Sequence, residues 1–176
     1  MTDKTNLILA AIAVLGVALI AASFMTWIRF DSTEMLQDGP HSTSVKVSGN
    51  DIDGATGFGD GYVTAAAGVV AVVLAIAMWF ASGPRNLPAA GIGIVGLTAF
   101  GVAVYDIFRD WVSGTGVVIA VQVDVVRYPA LVIAAVLGLI IGVAGLFLLL
   151  QAERAADRER AALAAEDDPG EGEAWT

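Results

Sequence analysis

The residues best suited to chemistry in this chain are three carboxylates in a glycine-rich segment. Asp51, Asp53 and Asp60 lie within residues 50–61, which also contain four glycines. Hard cations such as Ca²⁺ prefer several oxygen ligands on a flexible loop, so the segment is a candidate cation site. The alternative is that Asp60 caps the first turn of a following helix. We favour the cap, because the segment lacks the longer Glu that closes such calcium loops.

A second charged group consists of Asp106, Arg109 and Asp110, which follow an apolar run and precede Trp111. Charged and aromatic residues anchor the ends of membrane spans, so we expect an exposed ion pair at a membrane interface here. A catalytic carboxylate pair would need a shared cleft, which nothing in the sequence indicates.

Other reactive side chains are few. The chain has no cysteine and one histidine, His41, which leaves no residues for disulfides, thiolate chemistry or haem ligation. The sequence shows no nucleophile paired with a base. We therefore expect a protein that is not an enzyme and that has no cofactor and no bound metal.

The composition places the chain in a membrane. Hydrophobic residues make up 57% of its 176 residues and charged residues 15%, with a mean hydropathy of +0.75. Soluble domains carry roughly 45–50% apolar and about 25% charged residues. The net charge of −9 disfavours nucleic acid as a partner, because neutralising phosphates needs a basic surface. The lipid bilayer is the expected surrounding of this protein.

Four apolar runs without a charged residue are long enough to cross a bilayer. A helix rises about 1.5 Å per residue, so about 20 residues span a hydrocarbon layer of roughly 30 Å. Each run is expected to be a helix, because backbone amides in lipid must be hydrogen bonded within their own segment. The predicted fold is an all-α membrane protein whose residues 1–150 form a four-transmembrane-helix bundle, with spans at 7–28, 62–81, 87–105 and 130–150.

Basic residues predict the orientation. The first run is longer than the apolar core of a signal peptide, so we expect it to be retained. An even number of spans then places both termini on one side, together with the short connection that contains Arg85. The loop before the second span is acidic, and positive charge favours the cytoplasmic side. We expect a multi-pass plasma-membrane protein with both termini in the cytoplasm.

The outer loops, residues 29–61 and 106–129, contain segments with the periodicity of β-strands. Apolar and polar residues alternate at 44–48 and 121–125, and residues 27–31 continue the first span in the same pattern. Three strands that pack on helix ends are more stable than a lone hairpin. We expect a small extracellular antiparallel β-sheet, with irregular loops as the alternative.

Beyond the fourth span the chain becomes polar. Residues 151–165 are rich in Ala, Glu and Arg, which are strong helix formers, and predict a cytoplasmic helical extension. Residues 166–176 combine acidic residues with Pro and Gly and predict a flexible acidic tail. The tail is either solvated or docked on a basic partner.

Small residues recur at helical spacing in the fourth span. Ala134, Gly138, Gly142 and Gly145 share a helix face, and small residues let helix backbones approach closely in lipid. The second and third spans contain similar residues. This face either packs within the bundle or contacts another membrane subunit, and the sequence leaves both possibilities open.

The plan of spans and loops resembles two groups of proteins. Ala22, Ser23 and Trp27, the segment 45–51 and the Ala/Arg/Glu-rich C-terminal region are similar to small four-span membrane proteins of actinobacteria, including the tryptophan-associated membrane proteins. The topology also resembles that of claudin-like proteins, although their loop cysteines and Trp-Gly-Leu-Trp signature are missing here. The first resemblance implies a membrane location without a particular activity, and the second implies a small outer sheet.

Three functions are compatible with these features. The expected function is that of a non-enzymatic accessory or scaffold subunit, which packs against a larger membrane complex or against its own copies. The alternative is a claudin-like, self-associating adhesion or barrier protein. A small transporter or channel is a weaker alternative, because no run contains an ionisable residue.

Overall fold

The fold consists of four long helices and a three-stranded sheet. A computed structural model describes residues 3–36, 39–51, 59–80, 85–109 and 121–166. All four helices are long and apolar enough to cross a membrane, which confirms the predicted fold class. The helices are α1 (Asp3–Ser23), α2 (Asp60–Phe80), α3 (Asn86–Phe108) and α4 (Pro129–Glu166).

The helices form a closed bundle. Each helix packs on its neighbour in sequence, and α4 also packs on α1. The most extensive contact joins α3 to α4. The sheet lies where α1 and α3 end and where α2 and α4 begin, which we call the sheet end of the bundle. Alanines occupy much of the core between α2, α3 and α4, so the helices lie close together.

Glycines bring the backbones of α3 and α4 into contact. A Cβ added to Gly138 would lie 2.6 Å from the Phe100 nitrogen, and one added to Gly142 would lie 3.0 Å from the Leu97 side chain. A Cβ on Gly145 would overlap the backbone of Gly93. Ala134 is fully buried on the same face. The small-residue face of α4 therefore packs against α3 of its own chain and is not the surface for another subunit.

A second glycine contact joins α1 to α2 and was not predicted. A Cβ on Gly16 would lie 2.7 Å from Val72 Cγ2, and one on Gly68 would lie 2.7 Å from the Gly16 carbonyl oxygen. Neither glycine belongs to a repeated small-residue pattern as conspicuous as that of α4. Only the pairing of the two helices shows why side chains are excluded here.

The predicted antiparallel sheet is present. Its strands are β1 (Thr26–Leu36), β2 (Gly39–Ser48) and β3 (Val121–Arg127), in the order β2-β1-β3. Phe30 is opposite Val45 on one side and Val125 on the other. Within β1, Arg29 Nη2 lies 2.6 Å from Asp31 Oδ2, and this hydrogen bond and charge hold the pKa of Arg29 above its ordinary value.

The predicted boundaries differ from the observed ones where the chain passes between helix and sheet. The first span ends at Ser23 rather than at residue 28, because Trp27 and Ile28 are buried as the first residues of a strand. The Trp27 Nε1–H donates a hydrogen bond of 2.9 Å to the Ala22 carbonyl in the last turn of α1, which also accepts one of 3.2 Å from the Met25 N–H. Residues 151–165 continue α4 without a break, and residues 167–176 of the predicted tail lie outside the described residues.

Gly96 provides a test of the contact between α3 and α4. A Cβ at this position would overlap the backbone of Gly142, so Gly96→Ala should force the two helices apart. We expect it to lower the free energy of unfolding by about 1–3 kcal/mol. Gly101→Ala in the same helix is the matched control, since a Cβ there has no atom within 4 Å. Unfolding in mixed SDS micelles, followed by circular dichroism, would measure both, and equal stability of the two variants would contradict this packing.

Candidate functional site

Two fully buried carboxyl groups face each other at the sheet end. Asp60 is the first residue of α2, Asp106 lies near the end of α3, and neither is exposed. Their side chains are close enough to interact electrostatically. The sequence pattern predicts Asp106 in an exposed ion pair with Arg109. That expectation is wrong, because α3 extends past residue 105 and turns Asp106 into the bundle.

The position of both carboxyls follows from the inward faces of their helices. Buried residues of each helix recur at intervals of three or four, which is the spacing of one helix face. Extending each face by one turn toward the sheet end reaches an aspartate. The faces comprise Asp60, Thr64, Ala67, Ala71 and Ala75 in α2, and Ala89, Gly93, Gly96, Ala99, Ala103 and Asp106 in α3.

The buried polar residues of the described chain all lie near this end. Besides the two aspartates they are Ser23 and Thr64. The Ser23 hydroxyl donates to the Leu19 carbonyl at 2.8 Å, and the Thr64 hydroxyl donates to the Asp60 carbonyl at 2.9 Å. Both hydroxyl protons are thus used within their own helices.

A short 3₁₀ turn at Gly49–Asp51 packs against the bundle beside the aspartates. A Cβ on Gly49 would lie 2.5 Å from Trp27 Cε2 and 2.8 Å from the Ser23 carbonyl oxygen. A Cβ on Gly61 would lie 2.6 Å from Asn50 Oδ1. Glycine is required at both positions, because the turn fits directly between the end of α1 and the start of α2. This turn covers the sheet end of the helices.

Aromatic residues and one cation surround the buried pair. Tyr62 and Tyr105 are exposed, as expected for residues of an aromatic belt at a membrane surface. The Arg109 guanidinium lies 6.0 Å from the centre of the Tyr105 ring, at the limit of a cation–π contact. Its positive charge also acts on Asp106. Asp110 and Trp111 lie outside the described residues.

Two residues of the predicted cation site, Asp51 and Asp60, lie within the described chain. The exposed Asp51 accepts a hydrogen bond of 2.6 Å from the Ser48 hydroxyl, whereas Asp60 faces Asp106. Asp53 lies outside the described residues. Within the described ranges, no group of three or more His, Cys, Asp or Glu residues is placed to hold a metal ion. Asp60 does lie at a helix N-terminus, where its negative charge is favourable, but its carboxyl has a second role across the helix pair.

The arrangement joins two helices through a buried polar contact. Such a contact is strong in a medium that excludes water, and removing one partner leaves the other buried without its polar neighbour. The pair therefore fixes the sheet ends of α2 and α3 to each other.

Comparison with known proteins assigns no role to this site. No protein-family model matches the chain, and no curated protein matches its sequence. The periodicity of small residues is the sequence signal that could have located the pair. This periodicity does not single out Asp60 and Asp106 within the predicted spans, because both residues lie just outside the apolar runs.

A double-mutant cycle would test the contact between the two carboxyls. Asp60→Asn and Asp106→Asn each change one partner, so the effects of the two substitutions on the free energy of unfolding should not add. We expect a coupling of about 0.5–3 kcal/mol. Asp51→Asn combined with Asp106→Asn is the control and should be additive, because Asp51 is exposed and bonded to Ser48. Additive effects in both cycles would show that the aspartates do not interact.

Proposed function

We propose that this protein is a non-enzymatic accessory or scaffold subunit of a larger membrane complex. It would reside in the plasma membrane with both termini in the cytoplasm, so that the sheet end faces outward. The partner would contact the β1–β2 hairpin. The observation that carries this proposal is the exposure of residues 41–46 of β2.

The exposed part of β2 is unusual for a sheet that rests on a bundle. Successive side chains of a strand point to opposite faces, so a strand packed on one side alternates between buried and exposed residues. Residues 41–46 are all exposed, whereas Val47 and Ser48 next to the bundle are partly buried. Neither face of this stretch is covered by the described chain. A hairpin without a core is marginally stable in water, which favours a partner that covers it.

The edge position of β2 also suits a partner. In the described sheet β2 pairs with β1 alone, so it lies at an edge of that sheet. Edge strands are common templates for association with another chain. The exposed stretch runs His-Ser-Thr-Ser-Val-Lys, so hydroxyl groups and Lys46 would accompany backbone pairing.

The distribution of buried polar groups favours a scaffold over a transporter. A conducting path needs polar side chains along the membrane normal. In the described helices, the polar residues that are buried as a whole lie near the sheet end. Buried positions farther along α2 are Ala67, Ala71, Ala75 and Met78, which offer an ion no ligand.

Self-association is the second candidate function, and the same open edge favours it. Two copies could pair through their β2 strands and thereby join adjacent protomers, as in the claudin-like alternative. The two functions differ in the identity of the chain bound to β2. The small-residue faces do not distinguish them, because the α3–α4 contact already uses the face of α4.

Photo-cross-linking at Val45 would test both candidates. Val45 is exposed in β2, and Val73 is an equally exposed residue in the apolar part of α2, which makes it the matched control. We expect a photoreactive residue at 45, activated in native membranes, to give an adduct with a different membrane protein. A residue at 73 should give lipid adducts.

Other outcomes of the same experiment decide between the candidates. An adduct between two copies of this chain at residue 45 would favour self-association. Adducts with a second protein at residue 73 and not at 45 would place the partner on the helices and contradict the role of the hairpin.

A further inference from the structure

The end of the bundle opposite the sheet contains a cavity of about 240 Å³. Met78 and Leu148 form an apolar part of its lining, and Thr5, Gln151 and Arg85 form a polar part. Such a mixed lining differs from the apolar interior of the bundle.

The cavity lies at the level where a membrane changes from hydrocarbon to headgroups. Thr5 is near the start of α1, Met78 is two residues before the end of α2, and Arg85 immediately precedes α3. Leu148 and Gln151 lie where α4 passes from its apolar part into its polar extension. Helices that cross the hydrocarbon layer place such positions at its boundary with the headgroups.

Arg85 gives the cavity a positive charge. It is the one charged residue among the described residues that line the cavity, and it is partly buried. No described residue forms an ion pair with its guanidinium. The nearby acidic residues Glu153 and Asp157 line a separate crevice together with Arg160, whose Nη1 lies 3.4 Å from Asp157 Oδ1. Neither acidic residue lines the cavity that contains Arg85.

We propose that this cavity binds the headgroup of an anionic phospholipid. Arg85 contacts the phosphate, because a guanidinium presents paired donors that match phosphate oxygens. Thr5 and Gln151 supply a hydroxyl and an amide to the headgroup, and Met78 and Leu148 contact the start of an acyl chain. Basic pockets between transmembrane helices are common sites for anionic headgroups. A free anion would gain nothing from the apolar part of the lining, which favours a lipid.

The surroundings of the cavity support an anionic rather than a zwitterionic lipid. Lys4 is exposed and lies next in sequence to the lining residue Thr5. Its charge attracts a headgroup with net negative charge and has no such effect on a headgroup without one. This site is independent of the proposed partner contact, which lies at the other end of the bundle.

Native mass spectrometry of the full-length protein would test the lipid site. The protein is purified in mild detergent and titrated separately with phosphatidylglycerol and phosphatidylcholine. We expect the wild type to retain phosphatidylglycerol preferentially, and Arg85→Gln to lower that retention about fivefold, the effect expected of one basic residue near an anionic membrane surface. Arg154→Gln is the matched control, because it removes an exposed arginine that does not line the cavity, and it should change retention much less.

Several outcomes would overturn the proposal. Equal retention of phosphatidylglycerol by wild type and Arg85→Gln would do so, as would an equally large loss in Arg154→Gln. Displacement of the lipid from the wild type by inorganic phosphate would assign the cavity to a free anion instead. If Arg85→Gln does not fold, Arg85→Lys should keep the lipid preference, and equal retention of the two lipids by the wild type would itself contradict the site.

Discussion

Close contact between helix backbones is the constraint on which the rest of this structure depends. Lipid chains are as apolar as leucine, so burial of apolar side chains gives membrane helices little reason to associate. Packing of small residues supplies the attraction instead. Gly96 and Gly142 in one interface, and Gly16 and Gly68 in another, leave no room for a side chain between the helices. This contact fixes the rotation of each helix and therefore decides which residues face inward.

The buried carboxyl pair is a consequence of that rotation. Asp60 and Asp106 continue the inward faces of α2 and α3 by one turn, so they meet once those faces are packed together. The 3₁₀ turn and Trp27 then close the sheet end above the helices. The carboxyl pair thus joins α2 to α3, whereas the glycine contacts join α3 to α4 and α1 to α2.

The two ends of the bundle present different surfaces. At the sheet end, the 3₁₀ turn covers the end of α1 and the start of α2, while residues 41–46 of β2 are exposed on both faces. At the opposite end, α4 continues as a polar helix, and a cavity with Arg85 opens between the helix ends. An exposed edge strand is the kind of surface that binds a protein partner. A cavity with a cation and an apolar side is the kind of site that binds a lipid. The bundle itself separates and positions these two surfaces.

The sequence by itself determined the four spans, the three strands and the continuation of α4 as a helix. Each of these depends on the hydropathy or periodicity of one segment, which does not change when the segment meets its neighbours. The end of the first span was predicted too late in the chain, because Trp27 and Ile28 are apolar in a strand as well as in a helix. Whether these two residues belong to the helix or to the strand is decided by their burial against the end of α1, where they begin the strand.

Only the tertiary structure decided which faces meet. Ala134, Gly138, Gly142 and Gly145 were visible as a packing face, but their partner could have been any helix, in this chain or another. Asp60 and Asp106 are 46 positions apart in the sequence, and each alone resembles an ordinary residue at a helix end. Their contact depends on the relative rotation of two helices. That rotation is set by the shapes of both surfaces together and is not a property of either segment alone.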